Sequence, residues 1–157
     1  MKNTKTKKIN WKILIISLVI VYLVAFLGSI FTTKTVSSDW YTLNKPSITP
    51  PSYIFPIVWN ILFFLLALSI YFSWKNLKNK KNIIILFGIN LILNLVWSVF
   101  FFGMKNPSYA FIDLILLWIS ILSLIIFNWK NSRISSYLLI PYFLWVTFAG
   151  ILNLLFI

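Results

Sequence analysis

The stretch ILIISLVIVYLVAFLGSIF, residues 13–31, decides the fold class of this chain. It contains no charged residue. Because a bilayer core of about 30 Å needs roughly 20 apolar residues in a helix, the stretch predicts a membrane-spanning helix. A signal peptide is the alternative, since lysines precede the run. The run is longer than the roughly 7–15 residues of a signal core and no A-x-A-like site follows it, so we expect a retained helix.

The rest of the chain repeats this pattern. Hydrophobic residues make up 61% of the 157 residues and charged residues 10%, whereas soluble domains average about 45–50% and about 25%. We predict an all-α membrane protein, a single domain over 1–157 that forms a bundle of five transmembrane helices. The predicted helices cover about 10–32, 53–74, 82–103, 108–128 and 134–157. The short links between the last four helices predict an up-down arrangement in which sequential helices are antiparallel neighbours.

One link is longer, TKTVSSDWYTLNKPSITPPS at 33–52. It contains Pro46, Pro50 and Pro51, which disfavour helix, so we expect an extended or turn-rich loop. The last two prolines directly precede the second long helix, where proline is tolerated at a helix start.

The distribution of cations predicts the orientation in the membrane. Eleven of the 14 Lys and Arg residues lie on one predicted side: Lys2, Lys5, Lys7, Lys8, Lys12, Lys75, Lys78, Lys80, Lys81, Lys130 and Arg133. The other side has Lys34, Lys45 and Lys105. The positive-inside rule then predicts a multi-pass protein of the cell membrane with a cytoplasmic N-terminus and an external C-terminus. Because these cations border apolar runs, the net charge of +12 indicates contact with anionic lipid and not with nucleic acid.

The chain contains no Cys and no His. A disulfide, a zinc site and a catalytic triad built on either residue are therefore excluded, and haem iron would lack its usual His or Cys ligand. We expect no metal site and no resident cofactor.

The eight Trp residues fall into different environments. Trp11, Trp74 and Trp129 lie near helix ends, as in an interfacial aromatic belt. Deeper positions hold Trp59, Trp97, Trp118 and Trp145, where an indole N–H needs a hydrogen-bond partner. Helix packing and a ligand pocket are both open interpretations of the deeper residues.

Polar residues also occur inside the apolar runs. Asn90 and Asn94 are spaced i, i+4 on one helix, with Trp97 and Ser98 on nearly the same face. This face predicts either interhelical hydrogen bonds or the wall of a cavity. Asp113 is the one acid inside an apolar run and is a candidate functional residue, although it lies close enough to a helix end to reach the interface.

On the last helix one face carries Trp145, Phe148, Ala149, Leu152 and Asn153. The small side chain of Ala149 beside Trp145 leaves room for a ligand or for a close neighbouring helix. Pro141 lies one turn earlier and predicts a kink.

Three motifs in order carry a family resemblance. They are WYTLNKP at 40–46 continuing through PP to YIFPIVW at 53–59, NLILNLVWSVFFFGMKN at 90–106, and PYFLWVTFAGILN at 141–153. Their order and spacing resemble the tryptophan-rich sensory protein and translocator protein family (TspO/MBR), from about Trp40 to Asn153.

The resemblance implies a five-helix bundle with an internal pocket covered by the 33–52 loop. It implies porphyrin binding, with protoporphyrin IX as ligand or substrate, and often a homodimer. The implied ligand-binding residues are Tyr41, Trp59, Phe63, Asn94, Trp97, Ser98, Trp145 and Ala149. The implied photo-oxidative residues are Trp59 and Trp145, for a light- and oxygen-dependent porphyrin degradation without a conventional catalytic motif. The chain ends ILNLLFI at 151–157 and lacks the Tyr and basic residue of the family's sterol motif, which argues against sterol recognition there.

Two other functions fit a small membrane bundle. One is transport of tetrapyrroles or other hydrophobic molecules, although the sequence shows neither an inverted repeat nor paired membrane charges. The other is a partner-binding regulator without chemistry of its own.

Overall fold

A computed structural model of the chain describes residues 9–130 and 132–157, which form helices and no strand. Five helices are long and apolar enough to cross a bilayer, so the predicted fold class is confirmed. They are α1 (Trp11–Thr35), α3 (Ile54–Asn76), α4 (Lys80–Ser98, continued by a π-helix over Val99–Gly103), α5 (Pro107–Trp129) and α6 (Arg133–Leu154). Lys2, Lys5, Lys7 and Lys8, used above to predict orientation, lie outside the described residues.

Asparagine side chains begin three of the long helices. The side-chain oxygens of Asn10, Asn79 and Asn106 each accept a hydrogen bond from the backbone N–H three residues later, at 3.1–3.3 Å. These contacts satisfy N–H groups that a helix start otherwise leaves unpaired. Pro107 follows the last of the three as the first helical residue, where it loses no hydrogen bond.

When the π-helix is counted with α4, the long helices begin and end within three residues of the predicted positions, but the link between α1 and α3 differs from its prediction. It contains a short helix, α2 (Asp39–Asn44), where we expected only extended or turn-rich backbone. The prolines all follow this segment and do not prevent it from being helical. Asp39 lies in its first turn, where a negative charge interacts favourably with the helix dipole and stabilises the helix. The backbone turns extended at Lys45, as expected for a residue before proline.

The order of the helices around the bundle is α1, α3, α6, α5, α4 and back to α1. Sequential packing holds for α4 with α5 and for α5 with α6, as predicted. It is wrong for α3 and α4, which contact each other only sparsely despite their short link. Each of them packs against α1 instead, because α1 lies between α3 and α4 in the ring of helices.

Small polar side chains join α3, α5 and α6 at the end where α6 begins. We call Ser69, Ser73, Asn128 and Ser135 the serine cluster; all four are fully buried. The hydroxyl of Ser73 donates to Asn128 Oδ1 at 2.6 Å, and the hydroxyls of Ser69 and Ser135 lie 2.6 Å apart. The Ser135 hydroxyl also contacts the Ser69 carbonyl at 2.9 Å, which requires close approach of the two backbones.

Candidate ligand-binding cavity

At the opposite end the bundle forms a partly open cavity of about 450 Å³, lined by α1, α3, α4 with its π-helix, α6 and the α1–α3 link. We call it the aromatic cavity. All eight predicted ligand-binding residues line it, and their role in binding stays a prediction: Tyr41, Trp59, Phe63, Asn94, Trp97, Ser98, Trp145 and Ala149.

The α1–α3 link covers this end through aromatic packing. The ring of Trp40 lies 5.8 Å from Phe101 and 5.7 Å from Phe156. Tyr41 is buried and contacts Phe102 and Phe156, with ring centroids 6.1 and 5.7 Å apart. These contacts explain why a six-residue helix is stable here, since so short a helix needs tertiary packing.

The π-helix positions the α4 wall. It begins directly after Ser98 and carries Phe101 and Phe102 into the lining. Trp97 stacks on Phe101 with centroids 5.2 Å apart, and the Thr35 hydroxyl donates to the Phe102 carbonyl at 2.9 Å. This element was not predicted from the sequence, because the apolar run VFFFG carries no signal that separates a π-helix from an α-helix.

Close approach of α1 to α4 depends on two glycines. A Cβ added to Gly28 would lie 3.2 Å from the Ser98 hydroxyl, and one added to Gly103 would lie 3.0 Å from the Phe31 ring. Both contacts are tighter than most Cβ contacts in proteins, so a side chain at either position would displace its neighbour by a few tenths of an ångström, and the two glycines let α1 lie close against the cavity wall.

Two of the polar lining residues have partners on other helices. Asn94 Nδ2 donates to the Tyr142 hydroxyl at 3.0 Å, and Trp97 Nε1 donates to Asn153 Oδ1 at 3.1 Å. Asn153 in turn donates to the Pro107 carbonyl at 2.8 Å. Asn94 and Trp97 therefore serve helix packing and line the cavity at the same time, so the two interpretations of this face are compatible.

Two other lining groups have no partner among the described residues. They are the indole N–H of Trp145 and the hydroxyl of Thr49, both with buried polar atoms. An indole N–H buried within a bilayer is costly unless something accepts its hydrogen bond. Thr49 was missed in the sequence analysis, where the proline-rich link offered no sign that its hydroxyl would be buried.

Aromatic rings form the remaining wall. Trp59 stacks on Phe63 with centroids 5.3 Å apart and meets Tyr142 edge-on at 6.2 Å. The ring of Phe55 meets Trp145 edge-on at 5.9 Å. Trp59 and Trp145, implied above as photo-oxidative residues, thus line one cavity from α3 and α6.

Two candidates from the sequence lie elsewhere. Trp118 donates to the Thr147 hydroxyl at 2.9 Å and packs on Phe143, outside the cavity lining. Asp113 is buried on α5, which contributes no residue to the cavity. One of its carboxyl oxygens, Oδ2, has no hydrogen-bond partner among the described residues.

Charged residues lie near the rim of the aromatic cavity and not inside it. Lys34 and Lys45 are exposed and do not line the aromatic cavity. Tyr41 is the ionisable residue of the lining, and burial raises the pKa of its phenol above the ordinary value. Tyr41 is therefore neutral at physiological pH, and the lining carries no charge of its own.

These features define a class: a five-helix integral membrane protein with a covered, aromatic internal cavity. The model of the TspO/MBR family matches residues 16–156. The chain is 45% identical over 135 residues to a tryptophan-rich protein TspO of Chlorobaculum tepidum, covering 83% of this chain and 84% of that protein. It is 37% identical to a tryptophan-rich protein TspO of Archaeoglobus fulgidus, over 89% and 92% of the two chains. It is 32% identical to the translocator protein of Bos taurus, over 82% and 78%. The chain belongs to the TspO/MBR family.

Proposed function

We propose that this protein is a membrane receptor that binds a porphyrin-like tetrapyrrole in the aromatic cavity, with protoporphyrin IX as the reference ligand. The observation that carries the proposal is the pair of unpartnered polar groups, the Trp145 indole N–H and the Thr49 hydroxyl, in a mostly apolar wall rich in aromatic rings. Binding sites for small molecules combine mostly apolar walls with a few polar groups that orient the ligand.

A porphyrin matches this wall in shape and chemistry. Its flat, largely apolar ring suits stacking on Trp59 and Phe63, whose planes lie within 30° of each other. Its carboxylates are acceptors for the Trp145 N–H. They are also anionic, so the exposed cations Lys34 and Lys45 attract them toward the covered end.

Quenching of tryptophan fluorescence by protoporphyrin IX tests the proposal, with full-length protein in detergent micelles. We expect saturable quenching, and Ala149→Leu should weaken it at least about tenfold because it fills the cavity with side-chain atoms. Gly88→Leu is the matched control, since it adds a larger increment of volume on α4 outside the cavity lining. Unsaturable quenching, or equal loss in both variants, would contradict the proposal.

We also propose that bound porphyrin is degraded in light. The excited ring would take one electron from the indole of Trp59 or Trp145, which leaves an indole radical cation and a porphyrin radical anion. Dioxygen would take that electron from the porphyrin and become superoxide, the species that then oxidises the macrocycle. Illumination of the complex should bleach the porphyrin absorbance more slowly in Trp59→Phe and Trp145→Phe. Both measurements are made at saturating ligand and with an anaerobic control. Unchanged bleaching in both variants would remove these residues from the reaction.

The orientation follows from the charge distribution. We propose a cytoplasmic N-terminus, which places the covered aromatic cavity toward the outer face. A reporter that is active only outside the cytoplasm should be active when fused after Ile157, and activity of a cytoplasmic reporter at that position would reverse the orientation. The family resemblance further implies a homodimer, which native mass spectrometry of the full-length chain tests.

A further inference from the structure

A second cavity, of about 470 Å³, lies between α1, α3 and α4 near the first turn of α1. It occurs where α3 and α4 diverge after their short link, so that α1 forms the floor between them. We call it the lysine-rimmed groove. It belongs to the opposite end of the bundle from the aromatic cavity and shares no lining residue with it.

The interior of the groove is hydrocarbon-like. Ile83 and Phe87 line it and are almost completely buried, at 1% and 3% exposure. Ser17 is its one hydroxyl, and that hydroxyl already donates to the Ile13 carbonyl at 2.9 Å. No buried polar atom of the lining lacks a hydrogen-bond partner among the described residues, so an apolar chain fits where a polar ligand would not.

The groove is open toward lipid. Ile16, Ile20 and Ile84 line it and are 47%, 46% and 61% exposed. Gly88 lies in the wall, and among the described residues no atom lies within 4 Å of a Cβ built on it. The space beside Gly88 is wide enough for a further chain of carbon atoms to lie against the α4 backbone.

One end of the groove carries positive charge. Lys12 is part of the lining. The Lys80 ammonium is held next to Trp74, another lining residue, by the carbonyls of Trp74 and Leu77, and lies 5.1 Å from the Trp74 ring centroid. These two carbonyls use two of the three N–H donors of Lys80, which leaves one for a further acceptor.

No acid of the chain balances this charge. The sequence has two acidic residues. Asp39 begins α2 at the opposite end of the bundle, and Asp113 is buried on α5, which does not line the groove. A cationic rim at one end of an open hydrocarbon slot is complementary to a molecule with an anionic head and an apolar tail.

We propose that the lysine-rimmed groove is a binding site for one anionic phospholipid, with an acyl chain against Gly88 and Phe87 and the phosphate at Lys12 and Lys80. It is independent of the proposed porphyrin site. Bulk annular lipid would contact all lipid-facing surfaces equally, whereas this site retains one molecule.

Native mass spectrometry of the delipidated full-length protein tests the site, by titration with phosphatidylglycerol and with phosphatidylcholine of the same acyl chains. We expect one retained phosphatidylglycerol, bound at least about fivefold more tightly than phosphatidylcholine, which is the factor that one lysine near an anionic lipid supplies. Lys12→Ala should reduce this preference, and Lys130→Ala, an exposed cation outside the groove, should not. Equal retention of the two lipids, or equal effects of the two variants, would overturn the proposal.

Gly88→Leu should lower retention of both lipids at least about fivefold because it occupies the space of the acyl chain. Ile92→Phe adds volume to the lipid-facing side of α4 outside the groove and should leave retention unchanged. Full displacement of the lipid by inorganic phosphate would overturn the role of the acyl chain. A dimer that Gly88→Leu dissociates, without retained lipid, would assign the groove to a second copy of the chain and overturn the proposal as well.

A second measurement follows the position of the acyl chain by fluorescence and keeps an aromatic ring at position 74. Phosphatidylglycerol brominated on its acyl chain should quench a fraction of the fluorescence in the unmodified protein, and Trp74→Phe should remove that fraction. Equal quenching in the two proteins would place the acyl chain away from Trp74 and contradict the proposed position. Ala149→Leu, which changes the aromatic cavity, should leave lipid retention intact.

Discussion

The serine cluster and the aromatic cavity lie at opposite ends of the same helices and differ in how their buried polar groups are paired. In the serine cluster, short hydroxyl side chains allow α3 and α6 to approach closely and satisfy one another at 2.6–3.0 Å. At the aromatic cavity, α3 and α6 contact each other through large rings, a volume of about 450 Å³ remains between α1, α3, α4 and α6, and the Trp145 N–H has no partner among the described residues. Side-chain size therefore decides at which end of this bundle the helices pack closely and at which end a cavity remains.

The same contrast separates stability from binding. A closed polar cluster has no room for a ligand, so its hydrogen bonds stabilise the bundle. A buried group left without a partner in an apolar wall adds no hydrogen bond to the free protein and gains one when a ligand with a suitable acceptor binds. Substitutions at the two ends should therefore affect different measurements.

The largest expected effect is at the serine cluster. Ser135→Leu should lower the unfolding free energy by about 3 kcal/mol, because it overpacks the contact between α3 and α6 and removes the hydroxyl that lies 2.6 Å from those of Ser69 and Ser73. Unfolding of the full-length protein in detergent, followed by circular dichroism, measures it. Ser123→Leu is the matched control, since the Ser123 hydroxyl bonds only the Ile119 carbonyl of its own helix. Equal losses would mean that the cluster does not hold the helices together.

Effects of intermediate size are expected for two indoles of the aromatic cavity, which should differ in their contributions to stability and to ligand binding. Trp97→Phe should destabilise the free protein by about 1–2 kcal/mol, because Asn153 Oδ1 then loses its donor. Trp145→Phe removes an N–H that has no partner, so it should cost less stability but weaken protoporphyrin binding by about fivefold, equal to one hydrogen bond of about 1 kcal/mol. Denaturation and fluorescence titration of both variants measure the two quantities. The reverse order of the variants in both assays would contradict this assignment.

The smallest expected effect is electrostatic. Lys45→Gln should weaken protoporphyrin binding by about twofold at low ionic strength, and the difference should vanish as salt screens the exposed charge. Lys130→Gln, an exposed cation at the opposite end, is the control for a general charge effect. Titrations at low and high salt check the prediction; an effect that persists in high salt would indicate a direct contact instead of attraction at a distance.

Many residues that line the aromatic cavity could be predicted from the sequence, because their spacing along the chain places them on one face of a helix. Asn94, Trp97 and Ser98 lie three and four residues apart, which places them on one face of any helix. Trp145 and Ala149 share a face of α6 in the same way. The choice of these faces as a single pocket came from the family resemblance and not from spacing, since nothing local says that two faces meet.

Other parts of the structure could not be predicted locally. The aromatic contacts of Trp40 and Tyr41 that accompany the helical form of 39–44 involve Phe101, Phe102 and Phe156, all distant in the chain. Serine is common in membrane helices, and only the packing of α3 on α6 shows that Ser69 and Ser135 meet. The partners of the indoles also depend on packing: Trp97 and Trp118 find acceptors on α6, and Trp145 finds none among the described residues.

Length and hydrophobicity by themselves determined that this chain forms five membrane helices, because each apolar run matches the bilayer thickness and a lone span must satisfy its own backbone. Only the tertiary structure decided that α1 packs between α3 and α4, which separates two helices that follow each other in sequence. That placement depends on the shapes of side chains from all three helices, at contacts such as Gly28 against Ser98, and no single run contains that information. The lysine-rimmed groove follows from it, since the gap between α3 and α4 exists only once α1 has become their common neighbour.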